Sequence, residues 1–129
     1  MLADYAPVTT LAVQDLERAR GFYEGLLGFS PKMEFAGGVL YASGPTAFMV
    51  YPSAFAGTNK ATAMSYAVPL DAFAAEVQAL RDKGIDFLTF ELEGSTWDAG
   101  VASTGGDDRS VWFEDPDGNI LNLVTMEPV

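Results

Sequence analysis

Histidine and cysteine are both missing from this sequence. Imidazole acid–base chemistry, thiolate nucleophiles, disulfides and haem or iron–sulfur ligation are excluded with them. So are the nitrogen and sulfur donors that zinc, iron, copper and nickel sites normally use. Only a hard cation such as Mg²⁺ or Ca²⁺, which takes oxygen ligands, stays compatible with the composition. A general base in such a chain has to be a carboxylate, a phenol or an amine moved far from its ordinary pKa. Glu114, Tyr66 and Lys60 are the residues that could serve. No two carboxylates have a spacing that commits them to one site.

Aromatic rings are the other resource, with 9 Phe, 5 Tyr and 2 Trp. Trp112 and Glu114 alternate with Val111 and Phe113, so on a strand they share one face. Tyr41 and Tyr66 fall on other strands that can line the same cavity. Such rings either stack on a planar or apolar ligand or fill a core. Trp97 stands in a polar, glycine-rich stretch from Gly94 to Ser110. A loop of that length is expected to be a lid over a ligand, or to pack on a sheet edge or a partner subunit. Asp115-Pro116-Asp117-Gly118-Asn119 superficially resembles a calcium loop, but the glycine and glutamate positions of an EF-hand are not met, and it reads as a tight turn.

The elements that must position these residues repeat. Residues 7–13 read as a β-branched strand, and Asp15 caps a helix over 16–27 that Gly28 ends. Pro31–Phe35, Val39–Ser43 and Ala47–Tyr51 are short runs bounded by Gly or Pro, as in an antiparallel meander. The second half begins with a strand at Thr62–Val68 and a helix capped by Asp71, with Phe73, Val77 and Leu80 on one face and Gly84 at its end. Strands over 86–93, Val111–Glu114 and Ile120–Thr125 complete it. Val8 and Ala63 are 55 residues apart and the helix-closing glycines 56, which argues for an internal duplication. The expected fold is α+β: one domain over 1–129, with a βαβββ module over about 1–54, a linker over about 55–61 and a second module over about 62–129. Two such modules pair into a curved mixed sheet around a central cavity, where ligands are usually held.

The 18 acidic and 7 basic residues give a formal charge of −11. Nucleic-acid binding and an anionic membrane surface both require the opposite balance. A neutral or cationic small molecule suits it better. The N-terminus has neither a basic region nor an apolar run, and no stretch approaches a membrane span, so a cytoplasmic location is expected.

Leu11 to Ala19, Phe22-Tyr23, Leu27-Gly28-Phe29 and the closing Phe113-Glu114-Asp115-Pro116-Asp117-Gly118-Asn119 resemble the vicinal oxygen chelate superfamily. That superfamily includes glyoxalase I, bleomycin-resistance proteins and extradiol dioxygenases, and the resemblance covers essentially the whole chain. Its metal-dependent members carry ligands on the first and last strand of each half. By this resemblance the four positions fall at Val8, Phe48, Ala63 and Asn122. Three of these are hydrocarbon and the fourth offers one amide oxygen. The resemblance therefore implies the metal-free branch, with no cofactor: a homodimer that binds a small apolar or aromatic molecule, as bleomycin-resistance proteins sequester a cationic drug. Val8 and Ala63 would be cavity wall, Asn122 its polar group, and Phe48 either a stacking ring or a plug. A metal-free lyase or isomerase, and an accessory protein with a vestigial cavity, are the alternatives.

Overall fold

β1 (Thr9–Val13) and β4 (Thr46–Pro52) run parallel, and parallel neighbours need a crossover between them. The computed structural model, which describes residues 1–126, supplies it with α1 (Leu16–Arg20). Asp15 caps α1 as its spacing predicts, its carboxylate accepting from Arg18 N at 3.2 Å. The expected three-turn helix over 16–27 changes pitch after Arg20. Residues Gly21–Leu26 form a wider π turn, with Leu27 N reaching Phe22 O at 2.9 Å. Gly21 and Gly25 leave that segment short of helix formers.

β2 (Pro31–Phe35) and β3 (Gly38–Ser43) complete a four-stranded sheet in the order β1-β4-β3-β2. Gly38 has to be glycine, because a Cβ there would sit 2.4 Å from Val50 O. Leu11, Val13, Val39, Tyr41, Phe48 and Val50 are at most 2% exposed, as are Ala19 and Tyr23 of the helical segment. The ladders place Phe48 opposite Tyr41 and Val50 opposite Val39 and Leu11, so this set is one sheet face, packed on the helix. Burying each of the larger side chains contributes about 1.5–3 kcal/mol.

The second unit opens with β5 (Thr62–Val68) and α2 (Leu70–Asp82). Pro69, rather than Asp71, occupies the cap position of α2, and Asp71 lies in the first turn, where its charge favours the helix N-terminus. The strand expected over 86–93 is absent. That segment is tied to the sheet by Leu88 N donating to Trp112 O at 2.8 Å, with no ladder. The long loop expected from Gly94 to Ser110 is instead β6 (Thr96–Asp98), β7 (Val101–Gly105) and the start of β8 (Asp108–Glu114). Ala99 and Gly100, with φ of 49° and 83°, make the first hairpin turn, the positive-φ pair that two-residue hairpins demand. With β9 (Ile120–Thr125) the sheet order is β5-β9-β8-β7-β6, and this unit has one strand more than the first.

The chain is thus α+β, with two mixed sheets built from repeated βα units. The compact units are Met1–Asn59 with Pro116–Asn119, and Lys60–Asp115 with the strand that starts at Ile120. Residues 127–129, which the second module was expected to include, lie outside the described residues. The acidic turn belongs to the first unit for a chemical reason. Asp117 Oδ1 accepts from Gln14 N at 3.0 Å and from Arg18 Nη2 at 2.9 Å, while Asn119 Nδ2 donates to Ala12 O at 2.8 Å. Among the described residues no helix is long and apolar enough to cross a membrane.

Candidate functional site

On β8 the side chains alternate between two environments. Val111 and Phe113 are at most 1% exposed and share a face with Leu121 and Leu123 of β9. Ser110, Trp112 and Glu114 take the other face, where Trp112 lies opposite Asn122. The same alternation puts Trp97 of β6, opposite Ala102, on the Trp112 face, and Thr96, Ser103 and Arg109 on the α2 face.

Three rings meet on that first face. The Phe90 centroid is 4.8 Å from that of Trp112 and 5.4 Å from that of Trp97, with interplanar angles of 73° and 72°. The two indoles are 6.0 Å apart. Edge-to-face contacts at these distances are favourable and fix ring orientation. Phe90 is 44% exposed and both tryptophans are half-buried, so the cluster offers open ring surface. Trp97 is therefore a residue of the edge strand β6 held by two rings, the sheet-edge packing that was the alternative to a lid. Phe90 joins the two indoles from a segment without strand pairing, a placement that nothing local in 86–93 signals.

Asn122 is 5% exposed, and its Nδ2 donates to Val111 O and Leu123 O at 3.0 and 3.1 Å. Its Oδ1 makes no hydrogen bond among the described residues. Trp112 Nε1 donates to Thr62 Oγ1 at 3.2 Å. Glu114 is exposed and lies two residues along the same face of β8, about 7 Å from Trp112 at strand spacing.

The other candidates are dispersed. Tyr66 is opposite Leu123, on the α2 face, where burial pushes its phenol above the ordinary value of about 10. That shift makes the phenolate harder to form, the wrong direction for a base at neutral pH. Lys60 is exposed and precedes β5. Glu114, Tyr66 and Lys60 thus do not form one catalytic group: the first two are on opposite faces of one sheet. Val8 is 50% exposed and precedes β1, and Ala63 sits at the irregularity in β5 pairing.

Tyr41 and Phe48 belong to the helix-packed face of the first unit, 0% and 2% exposed. The Phe48 centroid is 5.0, 5.4 and 5.6 Å from those of Phe29, Tyr41 and Tyr23. Phe48 is a packed core ring, and the side chains of β4 on the opposite face are Ala47, Met49 and Tyr51. Tyr41 Oη donates to Glu24 Oε2 at 2.8 Å, and Glu24 also accepts from Arg20 Nε at 2.6 Å. The Arg20 guanidinium holds the Glu24 carboxyl below its ordinary range, while burial and then Glu24 push the Tyr41 phenol up.

These residues do not fit a metal ion. Val8, Phe48 and Ala63 have no side-chain donor atom, and Asn122 offers a single amide oxygen where a metal site needs several ligands. Among the described residues no three His, Cys, Asp or Glu side chains cluster so as to share an ion.

A model of the Glyoxalase/Bleomycin resistance protein/Dioxygenase superfamily matches residues 6–123. The chain belongs to that superfamily. Solved structures repeat its fold at low identity. The glyoxalase family protein from Enterococcus faecalis aligns with a TM-score of 0.70 at 15% identity, over 96% of this chain and 99% of that one. Fosfomycin resistance protein FosX from Mesorhizobium loti gives 0.66 at 15% identity, over 96% and 93%. An integron cassette protein from the mobile metagenome of a Halifax Harbour sewage outfall gives 0.66 at 18%, over 95% and 100%. No curated protein matches the chain. At these identities the likeness establishes the fold alone.

Proposed function

We propose that this superfamily member binds a small planar molecule without a metal, on the sheet face that carries Phe90, Trp97 and Trp112. The observation that supports this most directly is the three-ring cluster with its open surface, with rings 4.8–6.0 Å apart. A ring cluster meant only for packing would be closed, as Tyr23, Tyr41 and Phe48 are at no more than 2% exposure. Asn122 Oδ1 adds a hydrogen-bond acceptor on this face, and exposed Glu114 adds negative charge, so an aromatic cation is the favoured ligand class. A fosfomycin resistance protein is among the structures of this fold, which suits a drug or metabolite as the ligand and sequestration as the role. A metal-free lyase or isomerase has less support, because its base candidates are dispersed. We place the protein in the cytoplasm as a homodimer.

The test is isothermal titration with 9-aminoacridine, a planar cation, beside its neutral parent acridine. Binding of both, tighter for the cation and lost in Trp112→Ala, supports the reading. Absence of binding to either, together with no stabilising compound in a thermal-shift screen of natural products, favours the vestigial-cavity alternative.

A further inference from the structure

Arginine is scarce here, and its four copies divide into two kinds. Arg18 pairs with Asp117 at 2.9 Å, and Arg20 pairs with Glu24 and Glu34. Arg81 and Arg109 make no ion pair among the described residues. On a chain of net charge −11, both unneutralised guanidiniums line one groove of about 440 Å³ in the second unit, between α2 and β6–β8. A volume of that size is within the range of small-molecule sites.

The groove is built rather than incidental. Phe73 and Val77 of α2, 4% and 6% exposed, give it an apolar floor with Val101, and Leu70, 46% exposed, stands at one end. Arg81 Nη2 donates to Ala99 O, and its Cζ is 5.4 Å from the Phe87 ring centroid. Arg109 Nη1 contacts Ser103 Oγ, Gly106 O and Asp108 O, each at 2.9 Å. Arg81 is left with Nε and Nη1, and Arg109 with Nε and Nη2, as donors without a partner among the described residues. Each guanidinium is thus oriented by one nitrogen and open at the others, the arrangement that receives a carboxylate or phosphate. Ala99, whose carbonyl receives Arg81, lines the groove with a φ of 49°, an uncommon conformation for alanine.

Asp98 is the one carboxylate in the lining. It pairs with Val101 at the hairpin end, beside the turn that Arg81 caps. Ser103 and Arg109 form the next same-face row, about 7 Å further along β7. An anionic head therefore goes to Arg109, away from Asp98, and an apolar body follows the α2 face, which extends about 16 Å from Leu70 to Arg81.

The geometry points to a second binding site, on the α2 side of this sheet, for an amphipathic small-molecule anion held by Arg109 through its head and by Phe73 and Val77 through its body. It lies on the opposite sheet face from the aromatic cluster, so either site can fail while the other stands.

The probes are octanoate and octyl phosphate, with octyltrimethylammonium as the opposite charge, titrated at low salt and followed by ¹⁵N–¹H correlation spectra. Both anions should bind, the ammonium should not, and shifts should gather on α2 and β6–β8 rather than at the Trp97 and Trp112 indole N–H. Arg109→Gln should weaken the anions at least tenfold, with Arg109→Lys between it and the parent. Asp98→Asn should tighten them two- to fivefold, a gain that no folding defect can imitate. Anion binding that is absent, centred on the indoles, matched by the ammonium, or indifferent to both Arg109→Gln and Asp98→Asn overturns the site.

Discussion

Trp112 Nε1 on β8 donates to Thr62 Oγ1 on β5 at 3.2 Å, and β9 runs between those two strands. The indole therefore lies across β9 and offers a flat surface outward. Thr62→Val keeps the shape of the side chain and removes the acceptor. The indole N–H can turn to water, so stability should change by less than about 1 kcal/mol. Affinity for 9-aminoacridine should fall several-fold, because the ring loses its fixed orientation. Urea denaturation and calorimetric titration of the same variant check both parts.

Phe48 and Trp112 should respond oppositely to truncation. Phe48 is enclosed by Tyr23, Phe29 and Tyr41, and Phe48→Ala should cost about 3–5 kcal/mol of folding stability. Trp112→Ala removes half-buried surface, so its larger effect should be on affinity, by about tenfold or more. Equal loss of stability in both variants would contradict the distinction between a closed and an open ring cluster.

The Arg20–Glu24–Tyr41 network sets limits at both ends of the pH scale. Arg20 lowers the folded pKa of Glu24 from its ordinary value of about 4.5. A depressed carboxylate contributes stability above its unfolded pKa and loses it as pH falls through the folded one. Glu24→Gln should therefore be less stable than the parent at pH 7, with the difference shrinking below about pH 4.5. Tyr41 is shifted the other way, chiefly by burial, from about 10. Its contribution is complete below that value and declines as alkali ionises the unfolded phenol. Tyr41→Phe, which removes the hydroxyl bond to Glu24, should cost about 1 kcal/mol at neutral pH. Chemical denaturation between pH 3 and pH 11 reads all three effects.

How far the sequence carried the fold depended on how much of each element's signal is local. The first unit was legible almost strand by strand, because Gly37-Gly38 and Gly44-Pro45 punctuate its meander. The second unit misled where polarity hid strands: Thr96, Trp97, Val101 and Thr104 are good strand residues, but neighbouring Gly and Asp made 94–110 read as loop. A lid and sheet-edge packing then stood as equal explanations of Trp97, and the hairpin at Ala99-Gly100 places it at the sheet edge against Phe90 and Trp112. Phe48 shows the other limit. A one-residue step exchanges the faces of a strand, and the uninterrupted apolar run Ala47–Tyr51 carries no alternation to say whether Phe48 or Met49 faces away from the helix. The Arg81–Arg109 groove was beyond reach, since it joins residues on a helix and a strand 28 positions apart that no periodicity links.

Metal independence is checked by what stays unchanged. Elemental analysis of the purified protein should find no stoichiometric zinc, iron, manganese or nickel. EDTA should leave both the melting temperature and 9-aminoacridine affinity as they were, since Val8, Ala63 and Asn122 supply no donor set that a chelator would compete with. A drop in melting temperature with EDTA that added metal restores would show a site outside these positions.

The dimer prediction rests on β2. All five of its residues are exposed, it is the edge of its sheet, and it displays Met33 at 57% and Phe35 at 43% exposure. An edge strand presents unpaired backbone groups, and natural edges are commonly guarded by charge or covered by a partner. Lys32 and Glu34 provide some charge here, but Met33 and Phe35 are apolar surface that a second copy would remove from water. Light scattering at micromolar concentration should give a mass near twice 13.8 kDa. Met33→Lys and Phe35→Lys together should return the mass to that of one chain while leaving the melting transition cooperative. A parent protein already monomeric under those conditions, or a double variant that still runs at the doubled mass, would place the contact elsewhere or remove it.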